Sequence, residues 1–350
     1  ILITGGAGFI GSALIRYLIN NTEFKILNYD ALKYSGNLKS LESIEKSKKY
    51  SFIKGDICDS KKLELVINEF KPNGVMHLAA ESHVDRSIDD ALPFIESNIL
   101  GTYFLLTTLK KYIENAHEEI RKNFTFLHVS TDEVYGDINP LDPPCNEFQP
   151  YKPSSPYSAS KASSDHLVRS WVRTHKFPAV ITNCSNNYGP FHFPEKFIPH
   201  IILNSIQAKN IPIYGDGKQI RDWIYVDDHV RGLLKVFERG THGETYNIGA
   251  SNEITNIEIA TLVCEVLDEL VDKKPNNVSS FKELITFVQD RPGHDKRYAI
   301  NSSKIQDELG WLPEESFESG LRKTVEWFIS NKKWWQEILD GNYALERIGK

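Results

Sequence analysis

The chain has 350 residues, of which 40% are hydrophobic and 25% charged, and its formal net charge is −6. This length is enough to bury a large hydrophobic core, and the composition is that of a globular protein. Because acidic and basic residues are mixed along the chain and the net charge is negative, the sequence argues against a protein that binds nucleic acid or a membrane surface.

Short apolar runs alternate with amphipathic stretches over residues 1–190. The apolar runs, which predict buried strands, are Ile1–Thr4, Lys25–Tyr29, Ser51–Ile53, Gly74–His77, Phe124–Val129 and Ala179–Asn183. The stretches between them with a helical pattern are Phe9–Asn20, Lys61–Phe70, Phe94–Tyr112 and Tyr157–Thr174. This alternation predicts an α/β fold, a doubly wound parallel sheet of the Rossmann type with helices on both faces.

The pattern changes after residue 190, where the chain becomes more aromatic and richer in turns. Helical patterns remain at Asn256–Leu270 and Phe317–Leu339. We expect residues 191–350 to form a smaller C-terminal lobe, interleaved with the first domain. The tryptophans near the end of the chain, which we interpret as packing residues, are Trp327, Trp334 and Trp335.

A glycine-rich stretch, TGGAGFIGS, follows the first predicted strand and opens the first helix. Gly5, Gly8 and Gly11 let a backbone approach a pyrophosphate at the positive end of a helix, although a tight strand-to-helix turn would use the same residues. Asp30 ends the second strand, about 20 residues further on, where a carboxylate accepts ribose hydroxyls. Because an acid at this position repels a 2′-phosphate, the sequence favours NAD over NADP.

Two more strand ends support a dinucleotide site. The sequence GDI at Gly55–Ile57 follows the third strand, where it can contact adenine. The sequence HLAAES at His77–Ser82 follows the fourth strand and has small residues where a nicotinamide ribose would lie close. Together with the glycine-rich stretch, these features predict a bound NAD.

The sequence YSASK places Tyr157 and Lys161 on one face of a helix, just after Pro156. An ammonium group beside a phenol, with the positive ring of NAD nearby, lowers the pKa of the phenol. The phenolate can then take a proton from a substrate hydroxyl while hydride passes to NAD. The alternative is a surface Tyr–Lys pair without a chemical role.

Two adjacent acids, Asp132 and Glu133, follow the strand FTFLHVS. Adjacent side chains on an extended backbone point in opposite directions, so a turn here can give each acid its own task. Neighbouring acids in different environments can have pKa values far apart and serve as acid and base. The alternative is that one of them only caps the following turn.

These motifs, together with NCSNNYGP at residues 183–190, resemble the extended short-chain dehydrogenase/reductase family that acts on nucleotide sugars. The resemblance covers nearly the whole chain and implies oxidation of a sugar at carbon 4 by bound NAD. Family members include 4-epimerases, decarboxylases and 4,6-dehydratases. Epimerases typically have Ser and small residues at the strand end before YSASK, and decarboxylases keep one glutamate there.

The adjacent acids resemble the 4,6-dehydratase subgroup, which implies dTDP-glucose as substrate and a 4-keto-6-deoxy sugar as product. The resemblance implies that Asp132 is the acid at the carbon-6 oxygen and Glu133 the base at carbon 5. Thr131 would hydrogen-bond the carbon-4 oxygen, and Tyr157 and Lys161 would complete the catalytic set. An epimerase or decarboxylase, or a non-catalytic NAD-sensing protein on the same fold, remains the alternative.

The expected ligand contacts follow from the motifs and the resemblance. The residues expected to bind NAD are Gly5, Gly8, Phe9, Ile10, Gly11, Asp30, Lys33, Asp56, Ile57, Leu78, Ala79, Ala80, Ser82, Tyr157, Lys161 and Asn187. The residues expected to bind the nucleotide sugar are Ser82, Thr131, Asn186, Lys196, Phe197, Pro212, Tyr214, Arg221, Asn256, Arg291, His294 and Tyr298. Arginines can make forked contacts to a pyrophosphate, although a structural ion pair is the rival role for Arg221.

Further expectations concern metal, assembly and location. His77 lies in an apolar strand, and His83 and Asp85 follow a loop without a third ligand at metal spacing, so no metal site is expected. The resemblance favours a homodimer, in which Phe94–Tyr112 and Tyr157–Thr174 could pack across a two-fold axis. The four cysteines have no metal-ligand spacing, and the chain shows neither a secretory leader nor an apolar run of about 18 residues, so a cytoplasmic enzyme is expected. The segment Asp137–Tyr151 matches no functional motif and could be a lid or a dimer contact.

Overall fold

The computed structural model describes residues 1–275 and 278–341. Its strands are β1 Leu2–Thr4, β2 Ile26–Asp30, β3 Tyr50–Lys54, β4 Gly74–His77, β5 Thr125–Thr131, β6 Ala179–Cys184, β7 Asn186–Tyr188, β8 Ile211–Tyr214, β9 Ile220–Tyr225, β10 Thr245–Ile248, β11 Glu253–Thr255 and β12 Ile285–Val288. Its α-helices are α1 Phe9–Asn21, α2 Ser60–Phe70, α3 Val84–Asp89, α4 Leu92–Phe94, α5 Thr102–Asn115, α6 Glu118–Asn123, α7 Pro156–His175, α8 Phe197–Ile206, α9 Val226–Arg239, α10 Asn256–Leu270, α11 Ser303–Leu309, α12 Phe317–Ser330 and α13 Lys332–Gly341.

Seven strands form one parallel sheet in the order β10-β6-β5-β4-β1-β2-β3. Apolar side chains pack against both faces of the sheet, with α1 and α9 on one face and α2 and α5 on the other. The predicted doubly wound α/β fold is therefore confirmed. The strand order reverses between β1 and β4, and a crevice opens beyond the carboxyl ends of the strands at such a point.

A second group of elements follows β6 in the sequence. It contains the small sheet β11-β9-β7 and the parallel pair β12-β8. A separate apolar cluster joins these strands to α8, α10 and α12. The chain also returns to the large sheet after residue 190, because β10 pairs with β6 and α9 packs on β5 and β6.

Two long helical predictions are wrong in detail. The predicted helix Phe94–Tyr112 is interrupted by a π-helical turn at Ile95–Gly101, where Gly101 lies against the side chain of Ile57. The predicted helix Phe317–Leu339 is two helices, α12 and α13. The break follows from side-chain packing, since the Trp335 indole folds back and donates to the Phe328 carbonyl oxygen at 2.8 Å.

Helix α2 offers a matched test of core packing, because it carries one buried and one exposed leucine. Leu63 is 0% exposed and Leu65 is 71% exposed. Leu63→Ala should lower the free energy of unfolding by about 2–5 kcal/mol through lost burial and the cavity left behind. Leu65→Ala should change it by less than about 0.5 kcal/mol. Urea unfolding followed by circular dichroism measures both, and equal losses would contradict the packing described for α2.

Candidate active site

The glycine-rich turn between β1 and α1 has no room for side chains at two positions. Gly5 has a φ of +72°, and a Cβ there would lie 2.5 Å from the Ala79 nitrogen. A Cβ at Gly11 would lie 2.2 Å from the Gly5 carbonyl oxygen. Helix α1 begins after Gly8 without a side-chain cap and without an acid in its first turn. Its first backbone N–H groups therefore suit an anionic ligand such as a diphosphate.

Asp30 lies at the carboxyl end of β2, beside this turn. Its carboxylate accepts hydrogen bonds from the backbone N–H groups of Ala7 at 2.9 Å and Leu32 at 2.7 Å. Burial raises the pKa of Asp30, and these two hydrogen bonds oppose the rise. The carboxylate is thus held in a fixed orientation at the cavity wall, as recognition of a ribose diol requires.

The adjacent acids lie where β5 ends and a short 3₁₀ turn, Asp132–Tyr135, begins. The side chain that caps this turn is Thr131, whose hydroxyl accepts from the Glu133 backbone N–H at 3.3 Å. Capping therefore accounts for neither acid. The Asp132 carboxylate accepts from the Thr131 hydroxyl at 3.3 Å through one oxygen. Its other oxygen is buried and has no hydrogen-bond partner among the residues that the structure describes.

The surroundings of the two acids differ in charge. Burial raises the pKa of Asp132 well above the ordinary value, and the negative charges of Glu133 and Asp222 raise it further. Burial also raises the pKa of Glu133, but the positive charges of Arg291 and Arg221 oppose this rise. The arrangement therefore makes Glu133 the more readily ionised of the two acids and Asp132 the one that keeps its proton more readily.

Tyr157 and Lys161 lie in the first turns of α7, which begins at Pro156 and is capped by the Ser155 side chain. Both side chains are buried, and the Lys161 ammonium donates to the Val129 carbonyl oxygen at 2.9 Å. The pKa of Tyr157 is raised well above its ordinary value by burial and then by nearby negative charge. The expected lowering of the phenol pKa involves the positive ring of NAD as well as the Lys161 ammonium, so it stays a prediction for the protein with NAD bound.

Two arginines lie on the C-terminal side of the cavity. Arg291 donates to Asp85 at 2.8 Å, and the Tyr214 hydroxyl donates to the other oxygen of the same carboxylate at 2.8 Å. The Arg221 guanidinium lies over the Tyr298 ring at 4.3 Å and donates to the Asp295 backbone oxygen at 2.9 Å. Within the described ranges Arg221 has no ion pair, so the rival structural role suggested for it is not observed.

All of these groups surround one cavity of about 480 Å³ at the carboxyl edge of the large sheet. The structure brings every residue that the sequence proposed for catalysis, NAD binding or substrate binding to the lining of this cavity. This placement locates the residues, and their individual roles remain predictions.

The sequence analysis missed several residues of the cavity wall. His192, Phe193 and Glu195 line the cavity on the segment before α8, although only Lys196 and Phe197 of that segment were selected. Trp334 packs in the C-terminal core as predicted but also lines the cavity, which its sequence position did not indicate.

The three residues that had been considered as metal ligands have other contacts. His77 bonds through its two ring nitrogens to the hydroxyls of Thr4, at 2.7 Å, and Thr102, at 3.0 Å. The His83 ring accepts a hydrogen bond from the Arg86 backbone N–H at the start of α3. The Asp85 carboxylate accepts hydrogen bonds from Arg291 and Tyr214. Among residues 1–275 and 278–341, no group of three potential ligands is placed to hold a metal.

The segment Asp137–Tyr151 packs beside C-terminal residues, away from the cavity lining. The Cys145 N–H donates to the Ala299 carbonyl oxygen at 2.9 Å, and Glu147 accepts from the Asn247 N–H at 2.9 Å. None of its residues lines the cavity, so a lid over the site is not observed.

Comparisons with known proteins show which family the chain is similar to. The family model described as GDP-mannose 4,6 dehydratase matches residues 2–324. The chain is 56% identical over 349 residues to a dTDP-glucose 4,6-dehydratase of Neisseria meningitidis, covering 100% of this chain and 98% of the relative. It is 55% identical over 357 residues to a dTDP-glucose 4,6-dehydratase of Escherichia coli, covering 100% and 99%.

A solved structure gives the same result in three dimensions. The crystal structure of dTDP-glucose 4,6-dehydratase from Bacillus anthracis in complex with NAD superposes with a TM-score of 0.84 at 40% identity, covering 96% of this chain and 98% of that one. The chain is thus similar to these enzymes in sequence and, for the Bacillus anthracis protein, in fold. The chain belongs to the dTDP-glucose 4,6-dehydratase family of nucleotide-sugar enzymes.

Proposed function

We propose that the protein converts dTDP-glucose to its 4-keto-6-deoxy product by NAD-dependent 4,6-dehydration. The observation that carries this proposal is the set Thr131, Asp132 and Glu133, which lines the same cavity as Tyr157 and the glycine-rich turn. The names of the relatives support dTDP-glucose as the substrate. The NAD named for the Bacillus anthracis structure supports the cofactor.

The residues around the N-terminus of α1 fit NAD. The uncapped helix start and the close-packed glycines leave backbone N–H groups for a diphosphate. Asp30 is held in an orientation that suits the adenosine ribose, and Tyr157 and Lys161 line the same cavity. NAD bound there would supply the hydride acceptor for carbon 4 and later the hydride donor for carbon 6, and its positive charge would favour the phenolate form of Tyr157.

The side chains at the end of β5 then divide the proton transfers between them. Tyr157 takes the proton of the carbon-4 hydroxyl, and Thr131 donates a hydrogen bond to the carbon-4 oxygen. Glu133 removes the proton from carbon 5, and the electron pair left there forms a double bond to carbon 6 as the bond between carbon 6 and its oxygen breaks. Asp132 gives its proton to the carbon-6 hydroxyl, which leaves as water. The proton on Glu133 finally returns to carbon 5.

The acid and base roles follow from charge around the two carboxyls. Asp132 is buried, one of its oxygens is unpartnered within the described residues, and its neighbours Glu133 and Asp222 are acidic. A proton on Asp132 is therefore favoured. Arg291 and Arg221 instead favour the ionised form of Glu133. This electrostatic difference supports the assignment that the family resemblance implied.

The C-terminal side of the cavity supplies cationic and aromatic groups for the nucleotide. We assign Arg221 and Arg291 to the pyrophosphate, because their guanidinium groups can make forked contacts with phosphate oxygens. Tyr214 and Tyr298 offer aromatic faces at the same wall. Arg291 is already held by Asp85, so its orientation is set before a ligand binds.

The proposal extends to assembly and location. Apolar side chains that remain exposed between α3 and α5 are Ile88, Leu92, Ile95, Leu100 and Tyr103. This strip supports a homodimer in which the neighbouring helices pack across a two-fold axis. No helix of the described residues combines the length and apolarity needed to span a bilayer. All four cysteines are free thiols, which supports a cytoplasmic location.

The proposed function is tested by incubating the purified protein with dTDP-glucose. We expect a 4-keto-6-deoxy sugar nucleotide to accumulate without net formation of NADH, as followed by mass spectrometry and absorbance. A 4-epimer or a decarboxylated product would instead indicate the epimerase or decarboxylase alternative. Binding of NAD without any turnover would indicate the sensor. Parallel incubation with UDP-glucose measures how strongly the protein prefers a thymine nucleotide to a uracil nucleotide.

Glu133→Gln should separate sugar oxidation from elimination. The amide keeps the shape of the side chain but cannot accept the carbon-5 proton, so dehydration should fall by about 10²–10⁴-fold. NAD should stay bound, and exchange of the carbon-5 proton with deuterated solvent, measured by NMR, should stop. Glu147→Gln is the control, because Glu147 lies outside the cavity lining. Exchange at the wild-type rate in Glu133→Gln would remove Glu133 from the role of base.

The pH profile should report the protonated state of Asp132. Because its pKa is raised, the active protonated form persists to a higher pH than for an ordinary carboxyl group and is lost as the pH rises through that pKa. The wild-type kcat should therefore fall on the alkaline side. Asp132→Asn has no proton to lose, so that limb should disappear while kcat falls by about 10²–10⁴-fold at every pH. An unchanged alkaline limb in Asp132→Asn would assign it to another group.

A further inference from the structure

A carboxylate outside the proposed catalytic set is buried between the two sides of the cavity. Glu195 lies on the segment Phe191–Lys196, here called the strap, which follows β7 and leads into α8. Its side chain is only 1% exposed. The Tyr34 hydroxyl donates to one of its oxygens at 2.9 Å. Tyr34 belongs to residues 31–37, here called the cofactor loop, which follows Asp30.

The second oxygen of Glu195 faces the start of α3. The Arg86 Nε lies 3.5 Å from it, and the Arg86 guanidinium also covers the Tyr34 ring at 3.8 Å. His83 lies 3.7 Å from the same oxygen. Burial and nearby cations lower the pKa of His83 to about 2, so His83 is neutral and Arg86 is the cation of the cluster. Tyr34, Arg86 and Glu195 thus connect three separate segments at one point.

The strap also contacts the glycine-rich turn. The His192 ring stacks on Phe9 with centroids 4.2 Å apart and an interplanar angle of 18°. The Phe193 ring packs edge-on against Tyr34 at 5.7 Å. Strap residues 191–193 and 195–196 and residues 35–37 of the cofactor loop line the cavity. The strap therefore closes over the side of the cavity where Asp30 and the start of α1 suit NAD.

We infer that Tyr34, Arg86 and Glu195 form a latch that holds the strap against the cofactor loop and keeps NAD on the protein throughout the reaction. This inference rests on the proposed function, in which one bound NAD is used twice. Release between the two uses would leave an oxidised sugar and an enzyme unable to complete the cycle. A latch that slows release thus contributes directly to turnover.

The chemistry of the cluster suits a latch with an open and a closed state. Removing one partner of a buried ion pair leaves an uncompensated charge, so the closed cluster is stable only when its partners are all in place. When the strap lifts, water can solvate Glu195 and Arg86 separately. The Arg86 guanidinium over the Tyr34 ring joins α3 to the cofactor loop, so the two partners of Glu195 also contact each other.

The latch lies beside residues proposed to bind substrate. Lys196, the next residue along the strap, donates to the Ser82 carbonyl oxygen at 2.9 Å. Substrate that engages Lys196 would therefore also hold the strap down over the cofactor. The base of the strap has its own support, since the Phe191 ring packs on Trp327 at 4.5 Å. Loss of the Tyr34 hydroxyl should consequently loosen the latch without unfolding the segment.

The test measures NAD release directly. Tyr34→Phe removes only the hydroxyl, and Glu195→Gln removes the charge while keeping the shape. Wild type and variants are loaded with labelled NAD, desalted and chased with unlabelled NAD. We expect release to be at least tenfold faster in each variant. Turnover of the desalted variants should decline during the assay and recover when NAD is added.

Controls separate the latch from general loosening and from failure of the proposed function. Tyr17→Phe, on α1 away from the cavity lining, should release NAD at the wild-type rate. The double variant Tyr34→Phe/Glu195→Gln should release NAD about as fast as the faster single variant, well below the product of the two single effects, because both changes remove the same contact. Wild-type release rates in both single variants would overturn the latch. Failure of the wild type to retain NAD would instead count against the proposed function.

Discussion

The site depends on one geometric constraint, the meeting of parallel strand ends at the point where the strand order reverses. Strands β1, β4, β5 and β6 are neighbours in the sheet, so their carboxyl ends lie at the same edge. The residues that follow them supply the glycine-rich turn, the small residues after His77, the paired acids and β7. The pairing of these strands is therefore enough to bring segments that are far apart in sequence to one cavity.

Burial at this edge determines the electrostatics of the site. Desolvation raises the pKa of both adjacent acids and of Tyr157, so water exclusion by itself would leave all three protonated. The positive charge of Arg291, on the C-terminal side of the cavity, opposes the rise in the pKa of Glu133, so the two adjacent acids differ. The second group of elements therefore has an electrostatic effect in addition to its proposed role in nucleotide binding. It also helps to set which acid holds a proton.

The parts of the structure that follow from local pattern were predictable from the sequence. The strand–helix alternation, the glycine-rich turn and the start of α7 at Pro156 all depend on neighbouring residues. Features set by tertiary contact were not predictable. The break between α12 and α13 reflects the folding back of Trp335, and the pKa direction of Tyr157 depends on burial. Glu195 was missed because its hydrogen-bond partner Tyr34 is 161 positions away.

A contact such as the proposed latch gives the cofactor side of the cavity a link to the substrate side. In the proposed function the glycine-rich turn binds a diphosphate through backbone groups, which would hold it equally well before and after sugar oxidation. Tight binding of the diphosphate at that turn does not by itself make NAD release depend on bound substrate. Glu195 lies next to Lys196 in the chain and opposite Tyr34 in space, so it joins the substrate side to the cofactor loop. A dehydratase that uses one NAD twice benefits from that connection, because retention is then strongest while the sugar is bound.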